Sequence, residues 1–301
     1  MANIKNLDLN LLRVFDTLMD EKNVSRAAEK LAVSQPAVSG MLTRLRHSLN
    51  DQLFTRSQHG IVPTIRANEL AGPVKKLLRD LDAVLEPIRF EPESAELTLS
   101  IAATDYSLRA IVEPFLLALR KQAPNIKVSV RWINEHELLE QMERGIIDIA
   151  LTTPEASPVD LRARTLFDET YVCVLRDEHP LLKEASSLTI DQFCSIDHAI
   201  VSYVGGAFEG TTDQVLRKFE KQRRVVLSVP SFLSLVDILK TSDLCAVVPK
   251  RLIQNVQGLT TVNLPFEVPG FTKIMVWHER THESEAHRWI RDLIFQTCNE
   301  I

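Results

Sequence analysis

Hydrophobic positions in the first fifty residues recur at helical spacing and predict three short helices. Asp8 is a candidate cap for the first helix, which is expected to run to about residue 20. Ser25 is a candidate cap for the second, in which Ala27 and Ala28 are small enough for a neighbouring helix to approach closely. The apolar face of the first helix is formed by Leu9, Leu12, Phe15 and either Leu18 or Met19.

The third predicted helix has one apolar side and one polar side. Ser34 is its candidate cap, and Pro36 falls in the first turn, where a missing N–H leaves no hydrogen bond unmade. After the helix, residues 51–64 contain two strand-like pieces around a QHG turn, which predicts a small β-wing. The order is therefore helix, helix-turn-helix, wing. The stripe that faces the core consists of Val38, Leu42, Leu45 and Leu49.

Residues 65–90 carry a heptad pattern. Apolar side chains alternate at spacings of four and three, which favours a long helix that pairs with another helix. A helix packed on its own domain remains the alternative, because three heptads are few. Pro73 lies inside this segment and is expected to kink or interrupt it. The heptad positions are Leu70, Val74, Leu77, Leu81, Val84 and Ile88.

Strand-like and helical segments alternate from about residue 95 to the C-terminus, after an acidic, Pro-containing stretch at residues 90–96. This alternation predicts parallel sheet with crossover helices, arranged as two α/β lobes around a cleft. The fold class is therefore α+β overall, with an N-terminal winged helix-turn-helix, a linker helix and a two-lobed C-terminal domain. The predicted boundaries are 1–64, 65–90 and 95–301, with lobe I at about 95–162 and 268–301 and lobe II at about 163–267.

Charge is distributed unevenly along the chain. The net charge of the 301 residues is −5, yet residues 22–66 hold seven Lys or Arg and only two acids. A small basic domain beside a larger acidic one fits a protein with one phosphate-binding part. The chain has no apolar run long enough to span a membrane, so we expect it to be cytoplasmic. Its four cysteines are widely separated and are expected to be reduced thiols.

Residues 23–64 resemble the DNA-binding region of LysR-type transcriptional regulators, in the ordered run NVSRAAEKLAVSQPAVSGMLTRLRHSLNDQLFTRSQHGIVPT. The resemblance implies that Gln35 and Pro36 meet base edges in the major groove and that Arg56 in the wing binds phosphate or the minor groove. Glutamine can pair with adenine and arginine can neutralise phosphate, so the residue types agree. The implied DNA contacts are Arg26, Ser34, Gln35, Pro36, Ser39, Thr43, Arg46 and Arg56.

Some of these residues have simpler explanations. Ser34 serves first as a helix cap, whatever else it contacts. Arg26 and Arg46 are equally well explained as solvated or packed on neighbours. Gly40 departs from many relatives, which carry a polar or basic residue there. Either the helix approaches DNA more closely at Gly40 or one base contact is missing, and we favour the missing contact.

The C-terminal two-thirds resembles the family's effector domain, which is similar to periplasmic binding proteins. Within the family it looks closest to the subgroup of nodulation-gene and naphthalene-degradation activators, which implies an aromatic or small carboxylate effector. Strand ends and helix starts are expected to line the cleft. Asp105 is more simply explained as a cap, while Tyr203 and Phe208 are equally well explained as core residues. The candidate effector contacts are Thr104, Asp105, Tyr106, Ser107, Thr152, Thr153, Tyr203, Phe208, Ser231 and Phe232.

The expected partners are double-stranded DNA with a pseudo-palindromic site, a small effector and further copies of the chain. Residues 65–90 would pair two protomers, and the resemblance implies a tetramer; contact with RNA polymerase stays open, and no membrane partner is expected. No cofactor or metal is expected, because His278, His282, Glu283 and His287 match no metalloprotease spacing. Catalytic motifs are lacking, so an enzyme and a solute-binding protein remain only as rival classes.

Overall fold

The computed structural model describes residues 8–58, 60–85, 89–183, 188–203 and 205–300. The chain divides into two compact units, Met1–Ile88 and Arg89–Ile301. No helix among the described residues has the length and apolar character needed to cross a bilayer. Three of the four cysteines, Cys173, Cys245 and Cys298, lie in the core as free thiols, and Cys194 is partly buried.

The N-terminal unit is a helical core with a two-stranded wing. Its elements are α1 (Leu9–Glu21), α2 (Val24–Lys30), α3 (Gln35–Leu49), β1 (Phe54–Ser57), β2 (Gly60–Pro63) and α4 (Ile65–Leu85). Strands β1 and β2 pair antiparallel as the predicted hairpin. One residue of its turn, His59, falls outside the described residues.

Helix caps in this unit follow the sequence with one correction. The Asp8 carboxylate accepts a hydrogen bond from the Asn10 amide at 2.9 Å, as predicted. The second helix is capped by Asn23 and not by Ser25, because the Asn23 side chain accepts from the amides of Ser25 and Arg26 at 2.9 and 3.1 Å. Asparagine is as strong a cap as serine, so the helix begins at Val24, two residues earlier than a cap at Ser25 predicts.

A close approach of backbones fastens the wing to the helices. The amide of Ile61 donates to the carbonyl of Lys22, the residue after α1, at 3.0 Å. A Cβ atom at Gly60 would lie 2.4 Å from that carbonyl oxygen, and Gly60 has a positive φ of 134°. Only glycine satisfies both conditions, so the wing is seated against the end of α1 at this point.

Helix α4 continues through Pro73 without a break. Its first half packs on the N-terminal core through Leu70 and Val74. Its second half turns apolar side chains to solvent, since Leu77 is 44% exposed and Val84 is 79% exposed. The last predicted heptad position, Ile88, falls outside the described residues.

Lobe I of the C-terminal unit is a five-stranded sheet covered by helices. Its strand order is β4-β3-β5-β12-β6, with β3 parallel to β4 and β5, and β12 antiparallel to β5 and β6. The predicted parallel arrangement thus holds for the first three strands. The elements are β3 (Thr98–Ala103), α5 (Asp105–Ser107), a π-helical turn (Leu108–Val112), α6 (Glu113–Gln122), β4 (Lys127–Trp132), α7 (Leu138–Glu143), β5 (Ile149–Thr152), β6 (Arg162–Glu169), β12 (Phe271–Trp277) and α12 (Glu285–Asn299).

Lobe II combines antiparallel and parallel pairing. Strand β7 lies between β10 and β11, antiparallel to both, while β8 and β9 are parallel, and a bridge between His198 and Cys245 joins the two pieces. The elements are β7 (Tyr171–Arg176), α8 (Ile190–Ser195), β8 (Asp197–Val201), α9 (Thr211–Arg217), β9 (Arg224–Val229), α10 (Phe232–Lys240), β10 (Ala246–Pro249), α11 (Lys250–Ile253) and β11 (Leu259–Val262).

The chain first crosses from lobe I to lobe II later than the sequence predicted. Strand β6 pairs along its length with β12 and therefore belongs to lobe I, so the crossing falls between Glu169 and Tyr171 and not near residue 162. The return crossing lies between β11 and β12, close to the predicted residue 268. Because Glu169 pairs with Phe271, the two crossings lie side by side.

Candidate functional site

The polar side of α3 is open to solvent. Val38, Leu42 and Leu45 are buried, as the apolar stripe predicted, and this leaves the candidate contacts Gln35, Pro36, Ser39 and Thr43 exposed on the outer side. Two further hydrogen bonds are local to the helix. Ser34 caps it by accepting from the Ala37 amide at 3.4 Å, and the Thr43 hydroxyl donates to the Ser39 carbonyl at 3.0 Å.

The three candidate arginines differ in their surroundings. Arg46 donates to the carbonyls of Gln52 and Phe54 at 2.8 and 3.0 Å, which ties α3 to the first strand of the wing. The structure thus gives Arg46 the packing role that the sequence left as its alternative. Arg26 donates to the Glu21 carbonyl at 2.6 Å but remains 63% exposed, and Arg56 is exposed on β1.

Gly40 lies on the exposed side of α3, and a Cβ atom added there would meet nothing within 4 Å. We expect Gly40→Ala to raise the free energy of unfolding by about 1 kcal/mol, because alanine restricts the unfolded chain and favours the helix. Gly72→Ala is the matched control, since Gly72 is equally open inside α4. Chemical denaturation checks this, and a loss of stability at residue 40 would contradict it.

The same variant separates the two explanations of Gly40. If a base contact is missing there, Gly40→Ala leaves the affinity for DNA unchanged. If the helix backbone approaches DNA at this point, the added methyl group weakens binding by an amount that Gly72→Ala does not reproduce.

The two lobes of the C-terminal unit enclose a cavity of about 1020 Å³. Its size is that of a small-molecule site. The strand-end argument predicted part of its wall correctly, because seven of the ten candidate effector contacts line it: Thr104, Tyr106, Thr152, Thr153, Tyr203, Ser231 and Phe232.

The other three candidates do not line the cavity. Asp105 is buried and accepts from the amides of Tyr106 and Leu233 at 2.8 and 3.2 Å, so it joins the start of α5 in lobe I to α10 in lobe II. Ser107 is fully buried and hydrogen-bonded to Thr104. Phe208 is 52% exposed in the loop before α9. The cap explanation of Asp105 is also wrong for its own helix, because Thr104 is the cap of α5 and accepts a hydrogen bond from the Ser107 amide at 3.2 Å.

Sequence analysis missed several cavity residues, among them Glu135, Tyr171 and Phe271, and the most informative of them is Lys273. It lies on β12, is only 4% exposed, and its Nζ is 5.9 Å from the ring centroid of Tyr106. Burial lowers its pKa to about 8, while the nearby Glu135 carboxylate acts in the opposite direction. A lysine inside the apolar strand FTKIMVW was the available signal, because strands with both faces covered seldom hold a charge.

Aromatic rings make up much of the remaining wall. Tyr106 meets Phe232 and Phe271 edge to face, with centroids 6.3 and 5.8 Å apart, and Tyr203 meets Phe232 at 5.9 Å. Burial, with the neighbouring Glu169 carboxylate, raises the pKa of the Tyr106 phenol above its usual value, so this hydroxyl stays protonated. The cavity therefore offers ring faces, neutral hydroxyls and one buried ammonium.

The histidines near the C-terminus do not converge. His278 caps a short turn, His282 stacks on Trp277 with the ring planes 13° apart, and His287 lies 3.6 Å from Asp148. Throughout the described part of the chain, no three His, Cys, Asp or Glu side chains are grouped so that they could hold a metal ion.

Comparison with known proteins identifies both units. A family model described as a bacterial regulatory helix-turn-helix protein of the lysR family matches residues 9–68, and one described as the LysR substrate binding domain matches residues 92–299. The chain belongs to the LysR family of transcriptional regulators. The predicted family and fold class are thus confirmed.

Several relatives resemble this LysR-family regulator over its full length. It is 35% identical to the HTH-type transcriptional activator NagR of Ralstonia sp, covering 99% of each chain. It is 34% identical to the activator NahR of Pseudomonas putida, covering 97% of this chain and 98% of that one. A crystal structure of a transcriptional regulator from Pseudomonas aeruginosa shares 32% identity, a TM-score of 0.58 and 97% coverage of both chains.

These matches decide the class of protein. The relatives are regulators and activators, so this LysR-family member is a DNA-binding regulator with an effector domain and not an enzyme. The predicted activator subgroup is confirmed as well.

Proposed function

We propose that this regulator binds a small aromatic carboxylate between its two lobes and thereby adjusts its binding to promoter DNA. The observation that carries the proposal is Lys273, a buried ammonium in a cavity walled by aromatic rings. A buried charge is costly, and a ligand carboxylate beside Lys273 would offset that cost. The resemblance to activators with aromatic inducers supports the same class of compound.

The shape of the wall favours a planar body beside the charge. Tyr106, Phe232 and Phe271 present rings in edge-to-face contact, and a further ring could extend this arrangement. Glu135 also lines the cavity, so a second negative group on the ligand would be repelled. The proposal therefore favours an aromatic monocarboxylate.

Thermal unfolding of the full chain with benzoate tests this proposal. A ligand present at 100 times its Kd adds about 2.7 kcal/mol to the free energy of unfolding. Benzyl alcohol is the control without charge, and cyclohexanecarboxylate is the control without an aromatic ring. Equal stabilisation by all three compounds, or by none, would contradict the proposed class.

We propose that the exposed side of α3 reads bases while the wing holds the DNA backbone. Gln35→Ala should then relax the sequence preference obtained by selection from random duplexes, because it removes a pair of hydrogen bonds worth about 1–3 kcal/mol of discrimination between bases. If Gln35→Ala leaves the selected sequence unchanged, the base contact is assigned to the wrong residue.

Arg56→Ala should weaken binding to all sequences. It should also lower the slope of the logarithm of the binding constant against the logarithm of the salt concentration by about 1.

The second half of α4 supports pairing of two protomers through the proposed linker helix, 65–90. Leu77 and Val84 belong to one heptad stripe and are exposed within the chain, so a partner helix would bury them. Two paired protomers would present two recognition helices to a pseudo-palindromic site. Leu116 on α6 and Val130 on the edge strand β4 are exposed and line one surface groove, and this second apolar surface supports further assembly to a tetramer.

Charged substitutions on the linker stripe should separate the protomers. We expect Leu77→Glu and Val84→Glu each to raise the dissociation constant of the dimer about 100-fold or more, because each buries an unpaired carboxylate. Val159→Glu is the control, since Val159 is 98% exposed and lies outside the stripe. Sedimentation equilibrium measures the effect, and an unchanged dimer would assign pairing to another surface.

A DNA target makes the cytoplasm the proposed place of action. Contact with RNA polymerase remains part of this proposal, as the step by which promoter binding would reach transcription.

A further inference from the structure

Glu169 is a buried carboxylate at the point where the chain first leaves lobe I. It is the last residue of β6 and is 3% exposed. It does not line the cavity. A buried charge in such a position needs hydrogen-bond donors from the surrounding structure.

Three donors from different parts of the C-terminal unit meet this carboxylate. The Tyr106 hydroxyl, on the cavity wall, donates to Oε2 at 2.5 Å. The amide of Thr170, in the crossing segment, donates to Oε1 at 2.8 Å. The amide of Arg251, on α11 in lobe II, donates to Oε2 at 3.3 Å. The cavity, the crossing and lobe II therefore share one acceptor group.

Arg251 connects the same helix back to lobe I. Its guanidinium lies 3.8 Å from the ring centroid of Phe167 on β6 and donates to the Cys298 carbonyl on α12 at 2.8 Å. Helix α11 is thus held against lobe I at the place where Glu169 receives its hydrogen bonds. A shift of the Glu169 carboxylate would therefore also shift Arg251 and alter its contacts with lobe I.

The backbone at the crossing has no free space. A Cβ atom on Gly270, in the return crossing, would lie 2.1 Å from the Glu169 carbonyl oxygen. The two crossings are therefore pressed together at this residue. Packed elements of this kind shift between discrete arrangements and do not deform gradually.

We propose that the hydrogen bond between Tyr106 and Glu169 couples occupancy of the cavity to the relative orientation of the two lobes. This inference rests on the proposed function of the cavity. A ring that extends the cluster of Tyr106, Phe232 and Phe271 shifts the Tyr106 ring, because Tyr106 contacts both phenylalanines. The Glu169 carboxylate moves with the Tyr106 hydroxyl, because a buried carboxylate that loses a hydrogen-bond donor is destabilised. The Thr170 and Arg251 amides, which donate to the same carboxylate, move with it.

Hydrogen exchange of the full chain, read at the Thr170 and Arg251 amides, tests this coupling. Tyr106→Phe removes the hydroxyl and keeps the ring. Glu169→Gln removes the negative charge and keeps the size of the side chain, and residue 169 does not line the cavity. Tyr171→Phe is the matched control, because Tyr171 also lines the cavity, and the structure records no hydrogen bond from it to Glu169. Tryptophan and tyrosine fluorescence measures the affinity for benzoate in the same samples.

Without any ligand, Tyr106→Phe and Glu169→Gln should each raise exchange at both amides about fivefold, while Tyr171→Phe should leave it unchanged. With benzoate, the wild-type chain should change its exchange at these amides by a similar factor. Glu169→Gln should abolish that change and keep the affinity for benzoate within about threefold.

Three results would overturn the coupling. The first is unchanged exchange at Thr170 and Arg251 in ligand-free Tyr106→Phe. The second is a Glu169→Gln chain in which benzoate still changes exchange at these amides. The third is a Glu169→Gln chain in which the affinity for benzoate and the exchange response fall together, as a general loss of structure would cause. If benzoate does not bind the wild-type chain, the proposed effector class fails, and the ligand-free comparison still decides the coupling.

Discussion

Replacing Lys273 with methionine is expected to stabilise the ligand-free protein. Burial lowers the pKa of Lys273 to about 8, against 10.5 for an unperturbed lysine. Holding the ammonium inside the fold at pH 7 therefore costs about 3 kcal/mol, which methionine removes. Denaturant unfolding at pH 7 measures this gain, and Lys218→Met, at an exposed lysine after α9, is the control.

The stability that Lys273→Met gains over the wild-type chain should decrease as the pH rises. Below pH 8 both the folded and the unfolded chain carry the proton, so the full cost is present. Between pH 8 and 10.5 the unfolded chain binds more protons, so wild-type stability from this group rises with pH. The difference between wild-type and Lys273→Met should shrink across this range. A methionine variant that is less stable than wild-type at pH 7 would show that Lys273 has a favourable partner in the empty protein.

The same substitution should remove binding of an aromatic acid. A buried charge pair that loses one member loses several kcal/mol, so the affinity for benzoate should fall about 100-fold. In the wild-type chain the affinity should decline as pH rises through about 8, because the ammonium loses its proton. Titration calorimetry at pH 7 and pH 9 measures both effects. If the affinity of Lys273→Met for benzoate still declines between pH 7 and pH 9, the titrating charge belongs to another group.

Asp213→Asn is expected to destabilise lobe II by about 3–5 kcal/mol, because it leaves the buried guanidinium of Arg223 without its counter-ion. Two hydrogen bonds of 2.8 Å join these side chains, and the Arg223 side chain is 2% exposed. His198, whose Nδ1 lies 3.4 Å from Arg223 Nη1, cannot replace the carboxylate, because an imidazole supplies no negative charge. Burial lowers the pKa of His198 to about 4, so its ring is neutral at pH 7.

A similar pair on the surface provides the control. Asp197 pairs with Arg224, whose side chain is 74% exposed, so Asp197→Asn should have a far smaller effect. Adding Arg223→Met to Asp213→Asn should recover most of the loss, because the unpaired charge is then gone. Calorimetric unfolding compares the variants. Equal losses for Asp197→Asn and Asp213→Asn would contradict a buried role for the pair.

The N-terminal unit could be predicted almost completely from its sequence. A stripe of Val38, Leu42 and Leu45 determines which side of a helix is buried, whatever the rest of the chain does. The error at Ser25 arose because Asn23 and Ser25 are both good caps two residues apart, and only the backbone decides between them.

The effector cavity could be predicted only where it follows from strand ends. Thr104, Thr152 and Ser231 end strands or begin helices at the cleft, so topology indicates them. Asp105 and Ser107 belong to the same short turn as Tyr106 but point into the protein, because successive helical residues face different directions. Lys273 comes from the middle of a strand far along the chain, and its place at the cavity depends on pairing with β5 and β6.

The crossing between the lobes was misplaced for a related reason. Residues 162–169 form a strand that fits either sheet by its composition. Only its partner, β12, which lies about a hundred residues later, assigns it to lobe I. Pairing between distant segments is information that local periodicity does not contain.

The close contact between Gly60 and the Lys22 carbonyl affects the length of DNA that the protein covers. In the proposed complex, α3 contacts base edges while the wing contacts the DNA backbone, and the distance between those two positions is fixed by the double helix. The wing can reach the DNA at that distance from α3 only while its hairpin packs against the end of α1. A single methyl group at residue 60 would lift the hairpin off its seat, so the span of duplex that one protomer covers depends on a residue without a side chain.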